Sequence, residues 1–259
     1  VSASNRGGAT SVSNTSVVLG TSINAVNDAP SLTVPSSFAF SEDVLGNLLF
    51  TGTPFADVDS GSSSIVVTLS VADGSIVGNA GTGITVGGTA IARTFTGSLA
   101  NLNTYFTTAG KITYTPLLNA DTNRTLTVLI SDQGNTGTGG ALSASTTATL
   151  QITPVNDAPV VTGGAVLSYA ENASAAVIDS GLTITDVDDT NVTSASVSIS
   201  YGFVLGDMLN FNTQNGITGS YDASIGFLTL SGNATVSQYH EALLSITKPE
   251  PTPRFCSSC

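Results

Sequence analysis

The sequence predicts an all-β chain of tandem Greek-key β-sandwiches, the second of them incomplete. Three observations carry this. Short runs of β-branched residues recur between Gly- and Asn-rich turns. The 259 residues exceed what one sandwich needs. The word VNDAP occurs at 26–30 and again at 155–159, an offset of 129 positions that is about one domain.

Residues 1–25 read as the closing strands of a preceding copy. The stretch that begins VSASNRGG and ends VNDAP parallels the one that begins ISDQGNTG at Ile130, with Ala3 where the later copy has Asp132. Residues 26–154 read as a complete repeat. FAFSE and NLLF, then SSIVVTLSVADGSI, GITVGGT, ARTFTG, KITYTP, RTLTVLISD and TTATLQITP, supply about seven to nine strands closed by turn residues. SLANLNTYF, at 98–106, suggests one brief helical turn between strands. Residues 155–259 read as a second repeat, and TVSQYHEALLSIT carries the same apolar spacing as SLANLNTYF. That copy runs from LLSIT into KPEPTPRFCSSC and lacks counterparts of TLTVLISDQGN and TTATLQITPVNDAP. It is expected to be truncated or to take its missing strands from elsewhere, such as a neighbouring chain.

Charge narrows the partners. With 18 acidic against 6 basic residues the net charge is -12, which disfavours nucleic acid and anionic membrane surfaces. So many carboxylates with so few cationic partners imply neutralisation by metal ions. No run approaches 18 apolar residues, so no direct membrane insertion is expected. The start has no signal-peptide pattern, as expected of a chain cut from something longer. The only cysteines, Cys256 and Cys259, lack a second pair for a zinc site, and the only histidine, His240, lies 16 residues before Cys256.

The copies keep their carboxylates while the rest drifts. Between 31–60 and 160–189 there are six identities, at Thr33, Glu42, Gly52, Asp57, Val58 and Asp59, and half are acidic. Asp57 and Asp59, and their partners Asp186 and Asp188, stand at i and i+2. In an extended segment both carboxylates of a pair would reach one ion while the valine between them faced the core. Calcium takes six to eight oxygen ligands, and VNDAP offers an Asn, an Asp and a proline-stiffened backbone. Singly, each acidic residue reads as a turn former or solubilising group. As a register-matched set they point to calcium.

Glu42 in SED, Glu171 in AEN, the DVDS and DVDD loops and the NDAP linkers together resemble the calcium sites of cadherin repeats. They look most like the cadherin-like, immunoglobulin-like tandem repeats of large bacterial surface adhesins of the RTX or biofilm type. By that resemblance Glu42, Asp121, Asn156, Asp157, Asp186 and Asp188 share calcium ions at one junction, and Asn27, Asp28, Asp57, Asp59 and Asp132 at the preceding one. Glu171 would serve a following junction. The sequence departs from the pattern at Pro154, where an aspartate is usual, and at Ala158, where asparagine is usual.

Catalysis finds little support: Trp is absent, Tyr is sparse, and His240 has no identifiable nucleophile partner. Five N-x-S/T sequons, at Asn14, Asn123, Asn172, Asn191 and Asn233, are expected by chance in such a composition. The function expected is a calcium-rigidified, secreted or cell-surface adhesin region. Its partners would be calcium ions, neighbouring repeats of the same or like chains, and cell-surface or matrix glycans or proteins. The alternatives are a subunit of an extracellular fibre or sheath completed by strand exchange, and a non-catalytic spacer or carbohydrate-binding module of a secreted hydrolase.

Overall fold

The computed structural model describes residues 20–135, 137–164, 166–169 and 173–249. The chain separates at Pro154/Val155 into two compact units.

The first unit contains β1 (Ser31–Leu32), β2 (Ser37–Ser41), β3 (Gly46–Asn47), β4 (Phe55–Ala56), β5 (Ser64–Ser70), β6 (Ser75–Gly78), β7 (Ile84–Thr89), β8 (Ala92–Ser98), α1 (Leu99–Phe106), β9 (Ile112–Thr115), β10 (Arg124–Ser131) and β11 (Ser143–Thr153). Six strands form one sheet in the order β2-β11-β10-β5-β8-β7, and three form the facing sheet in the order β3-β9-β6. All these pairs are antiparallel except β11 with β2. This is the sandwich expected of the sequence. Its core joins Ile65, Val67 and Leu69 of β5 and Leu126, Val128 and Ile130 of β10 to Ile76 of β6 and Ile112 and Tyr114 of β9. The buried positions alternate along β5 and β10 because successive side chains point to opposite faces.

Helix α1 plugs one side of this core. Ser98 caps it, accepting from the Asn101 N–H, and Leu102, Tyr105 and Phe106 lie buried at the i, i+3, i+4 spacing of one face. Phe106 meets Phe50, Phe55 and Phe95 edge-on at 5.0, 4.9 and 5.1 Å, the arrangement that ring quadrupoles favour. Asn103 then holds β4 in place. Its carbonyl accepts from the Phe55 N–H and its amide donates to the Phe55 carbonyl, both at 2.9 Å.

The second unit contains β12 (Val160–Thr162), β13 (Ala176–Val177), β14 (Thr183–Thr185), β15 (Asn191–Ser198), β16 (Thr218–Asp222), β17 (Phe227–Thr235), α2 (Val236–Leu244) and β18 (Thr247–Lys248). The pairing of β12 with β14 repeats that of β1 with β4 in the same register: Ser31 faces Ala56, and Val160 faces Thr185. Helix α2 follows β17 as α1 follows β8, and Thr235 and Gln238 form a reciprocal capping box. Tyr239, Ala242 and Leu243 of α2 are buried with Leu228 and Leu230 of β17.

Among the described residues nothing in unit 2 corresponds to β2, β10 or β11. The absences are linked physically. In unit 1, β2 exists as a strand because β11 receives its backbone groups, whereas Val166–Tyr169 make no ladder. For the same reason β15 pairs on one side only, with β17, where β5 pairs with both β8 and β10.

Candidate functional site

β10 carries the first repeat's acidic groups to its two ends. Arg124 opens the strand opposite Leu150 and Ser131 closes it opposite Ser143, so eight residues set the poles roughly 24 Å apart. Asp121 precedes β10 and is exposed, while Glu42 follows β2 and is 2% exposed. The Glu42 N–H donates to the Thr153 carbonyl, and the Asn119 N–H donates to Asp43, which puts Glu42 and the 119–121 turn at one end. Asp132 follows β10 at the other end. Asn135 there donates to the Ser64 carbonyl, next to the turn that holds Asp57 and Asp59.

At this second pole the DVDS segment is a turn, and the extended geometry expected of it does not hold. Asp57 Oδ1 accepts from the Asp59 N–H at 2.8 Å and from the Ser60 N–H at 3.0 Å, folding the chain back on its own carboxylate. Val58 is consequently 83% exposed, and its counterpart Val187 is 60% exposed, so neither faces the core. The two carboxylates divide their work. Asp59 Oδ2 accepts from the Asp28 N–H at 2.5 Å. Asp57 Oδ2 is buried and has no hydrogen-bond partner among the described residues.

Unit 2 repeats the arrangement. Asp186 Oδ1 accepts from the Asp188 and Asp189 N–H groups at 3.1 and 3.0 Å. Asp188 Oδ2 accepts from the Asp157 N–H at 2.5 Å.

The two VNDAP words differ in their asparagines. Asn27 is 7% exposed and donates to Asp132 Oδ2 at 2.6 Å and to the Gly140 carbonyl at 3.1 Å. Asn156 is exposed and donates to the Asp157 carbonyl next to it. Asp132, 2% exposed, also accepts on Oδ1 from the Gly134 and Leu142 N–H groups, both at 2.8 Å. Burial raises its pKa, but these hydrogen bonds to the charged form outweigh burial and hold the carboxyl below the usual aspartate range.

Of the twelve residues expected to bind metal, the structure gathers Asn27, Asp28, Asp57, Asp59 and Asp132 at one pole of unit 1. Glu42 and Asp121 stand at the other pole, and Asn156 and Asp157 lie with Asp186 and Asp188 in unit 2. Glu171 lies outside the described residues, as do Cys256, Cys259 and the sequons at Asn14 and Asn172. His240 sits 2.8 Å from the Leu182 carbonyl and tethers α2 to the segment just before β14. Among the described residues no three His, Cys, Asp or Glu side chains form a group that could hold a metal ion. The fit to a cation is therefore divided: Asp57 offers a buried anionic oxygen without a donor, whereas Asp132 has its oxygens filled by three N–H donors.

Sequence reasoning passed over Gly137 and Gly140, which shape the pocket for Asn27. The GNTGTGG run was the available signal, since closely spaced glycines mark close backbone approach.

The fold and site define a tandem β-sandwich chain whose paired aspartates are set against the backbone of the two VNDAP words. No known family profile matches the chain. Over 134 residues, 49% of its length, the chain is 31% identical to Halomucin of Haloquadratum walsbyi (strain DSM 16790 / HBSQ001), and the match covers 1% of that relative. A structure of protocadherin gamma B2 extracellular cadherin domains 1–5 is similar over 88% of this chain and 38% of that chain, at 18% identity. Its TM-score of 0.31 is too low to bear on function. Among the described residues no helix is long and apolar enough to cross a membrane.

Proposed function

We propose that this chain is part of the calcium-rigidified extracellular repeat region of a secreted or cell-surface adhesin, with cadherin-like repeats that mediate cell adhesion or matrix attachment. The observation that carries the reading is Asp57 Oδ2, a buried carboxylate oxygen without a donor among the described residues, at the pole where the first VNDAP word lies. A buried anion in that state is costly unless a cation or donor reaches it. Calcium is a hard cation that takes carboxylate and carbonyl oxygens in flexible geometry. Asp57 and Asp59, with Asp28 on the linker, are the donors at the first pole. Asn156, Asp157, Asp186 and Asp188 repeat the pattern in unit 2, and Glu42 and Asp121 supply the opposite pole of unit 1. The charge supports the same reading, since 18 acidic residues face only 6 Lys and Arg. Bound calcium would cancel repulsion among these groups and remove freedom from the linker backbone.

The test is a calcium titration followed by thermal melting and small-angle scattering on the parent and on Asp57→Ala and Asp157→Ala. Calcium is expected to raise the melting temperature and lengthen the parent particle, with both responses weakened in the variants. If saturating calcium does neither to the parent, the reading fails.

Among the described residues β15 pairs only with β17, and that unpaired edge favours a second reading, a fibre or sheath subunit completed by a strand from a like chain. A chain that stays monomeric at high concentration in calcium would count against it.

A further inference from the structure

The structure assigns Asp132, Gly137, Thr138 and Gly140 as a receptor for the carboxamide of the linker asparagine, one that seats the linker by direct hydrogen bonds and needs no metal ion.

The linker enters as a short parallel bridge, Val26 against Thr138. The Thr138 N–H donates to the Ala25 carbonyl at 2.7 Å and the Asn27 N–H donates to the Thr138 carbonyl at 3.2 Å. Gly137 allows this approach. It holds φ +96°, and a Cβ there would stand 2.6 Å from both Asn27 N and Val26 C. Asn27 is thereby delivered into a buried site with two acceptors, Asp132 Oδ2 and the Gly140 carbonyl. An asparagine side-chain amide has two N–H bonds to give. Both are used, so the pocket reads a carboxamide and rejects a carboxylate, which would bring a second negative charge against Asp132.

Asp132 is also held by groups outside the VNDAP word. Gly134 and Leu142 fix its Oδ1 by their backbone N–H groups, leaving Oδ2 aimed at Asn27. A hydrogen bond from a neutral amide to a buried carboxylate belongs to the stronger class of protein hydrogen bonds. Unit 2 supplies an internal comparison. Asp157 keeps the Asp188 contact that Asp28 makes with Asp59, yet Asn156, with no such receptor among the described residues, is exposed. The shared aspartate contact is therefore not what buries the asparagine. The assignment also removes Asp132 from the calcium donors, so it stands or falls apart from the calcium reading.

The test is hydrogen exchange of the Asn27 and Thr138 amides in the full chain, once in chelator and once in saturating calcium. Exchange of the β10–β11 ladder serves as the control for folding. In chelator the parent is expected to protect both amides. Asn27→Asp and Asp132→Asn should each lower that protection by about ten- to a hundred-fold. The double variant Asn27→Asp/Asp132→Asn should restore part of it, since the Gly140 carbonyl then faces an acceptor instead of a donor. The carboxamide introduced at position 132 can then donate to the carboxylate introduced at position 27, while its own carbonyl still accepts from Gly134 and Leu142. Gly137→Ala should abolish protection with the control ladder intact. Protection that appears only with calcium, or single variants that match the parent in chelator, would overturn the assignment. A missing calcium effect on melting leaves it untouched, since that outcome speaks only against the proposed function.

Discussion

The Asp157 N–H donates to Asp188 Oδ2 at 2.5 Å, and 129 residues earlier the Asp28 N–H donates to Asp59 Oδ2 at the same distance. Between these sites most side chains differ, but each DVD turn still presents its second aspartate to the linker and folds around its first. A turn motif alone explains the first aspartate, whose Oδ1 binds N–H groups two and three residues ahead. It does not explain why the second aspartate meets the linker twice.

That division gives Asp57→Asn opposite effects in two buffers. In chelator the substitution removes a negative charge whose buried Oδ2 has no donor among the described residues, while the side-chain oxygen that accepts from Asp59 and Ser60 is kept, so stability is expected to be unchanged or higher. In calcium the same variant should lose the rise in melting temperature that the parent shows. A variant that is destabilised in chelator and still responds to calcium would remove Asp57 from the proposed donors.

Acid should loosen the linker seat. The folded-state pKa of Asp132 lies below its unfolded value, so its contribution to stability is complete above the unfolded aspartate pKa of about 3.9. That contribution is lost as the pH falls through the lower, folded value. Melting followed from pH 6 down to pH 2 should show a drop at the acid end that is smaller in Asp132→Asn, because that variant has no carboxyl to protonate there.

Asn103 should matter to unit 1 well beyond its size. Asn103→Ala leaves the Phe55 N–H and carbonyl without the partners they have now, and stability is expected to fall by about 1–3 kcal/mol. Phe106→Ala, which empties the centre of the aromatic cluster, should cost about 3–5 kcal/mol. Denaturant unfolding of the two variants checks both values. Equal losses would mean that the cluster collapses around the cavity.

The two helices should differ in their dependence on capping. Thr235 and Gln238 exchange hydrogen bonds at α2, whereas at α1 Ser98 only accepts from the Asn101 N–H at 3.3 Å. Thr235→Ala is expected to cost about 1 kcal/mol and Ser98→Ala less. Thermal melting ranks them, and the reverse order would remove the box as a source of stability.

Much of this molecule was legible before folding. Alternating Val, Ile and Leu in SIVVTLS and RTLTVLIS mark β5 and β10, because one face of each is buried. SLANLNTYF marks a brief helical turn where α1 forms, though the structure extends it to eight residues, and the offset of 129 fixes which acidic residues correspond. The direction of Val58 was not legible. Period-2 reasoning assumes an extended chain, and an aspartate that binds N–H groups ahead of itself cancels that assumption locally.

The sequence by itself determined the all-β class, the longer strands and the place of the one helix of unit 1, and the matched acidic positions, because those depend on local periodicity and on repetition along the chain. Tertiary structure decided what each polar group does. Asn27 and Asn156 sit in the same five-residue word, yet one is buried against Asp132 and the other is exposed. The difference comes from a carboxylate 105 residues away that folding of β10 and β11 brings within 2.6 Å, a distance that no local pattern encodes.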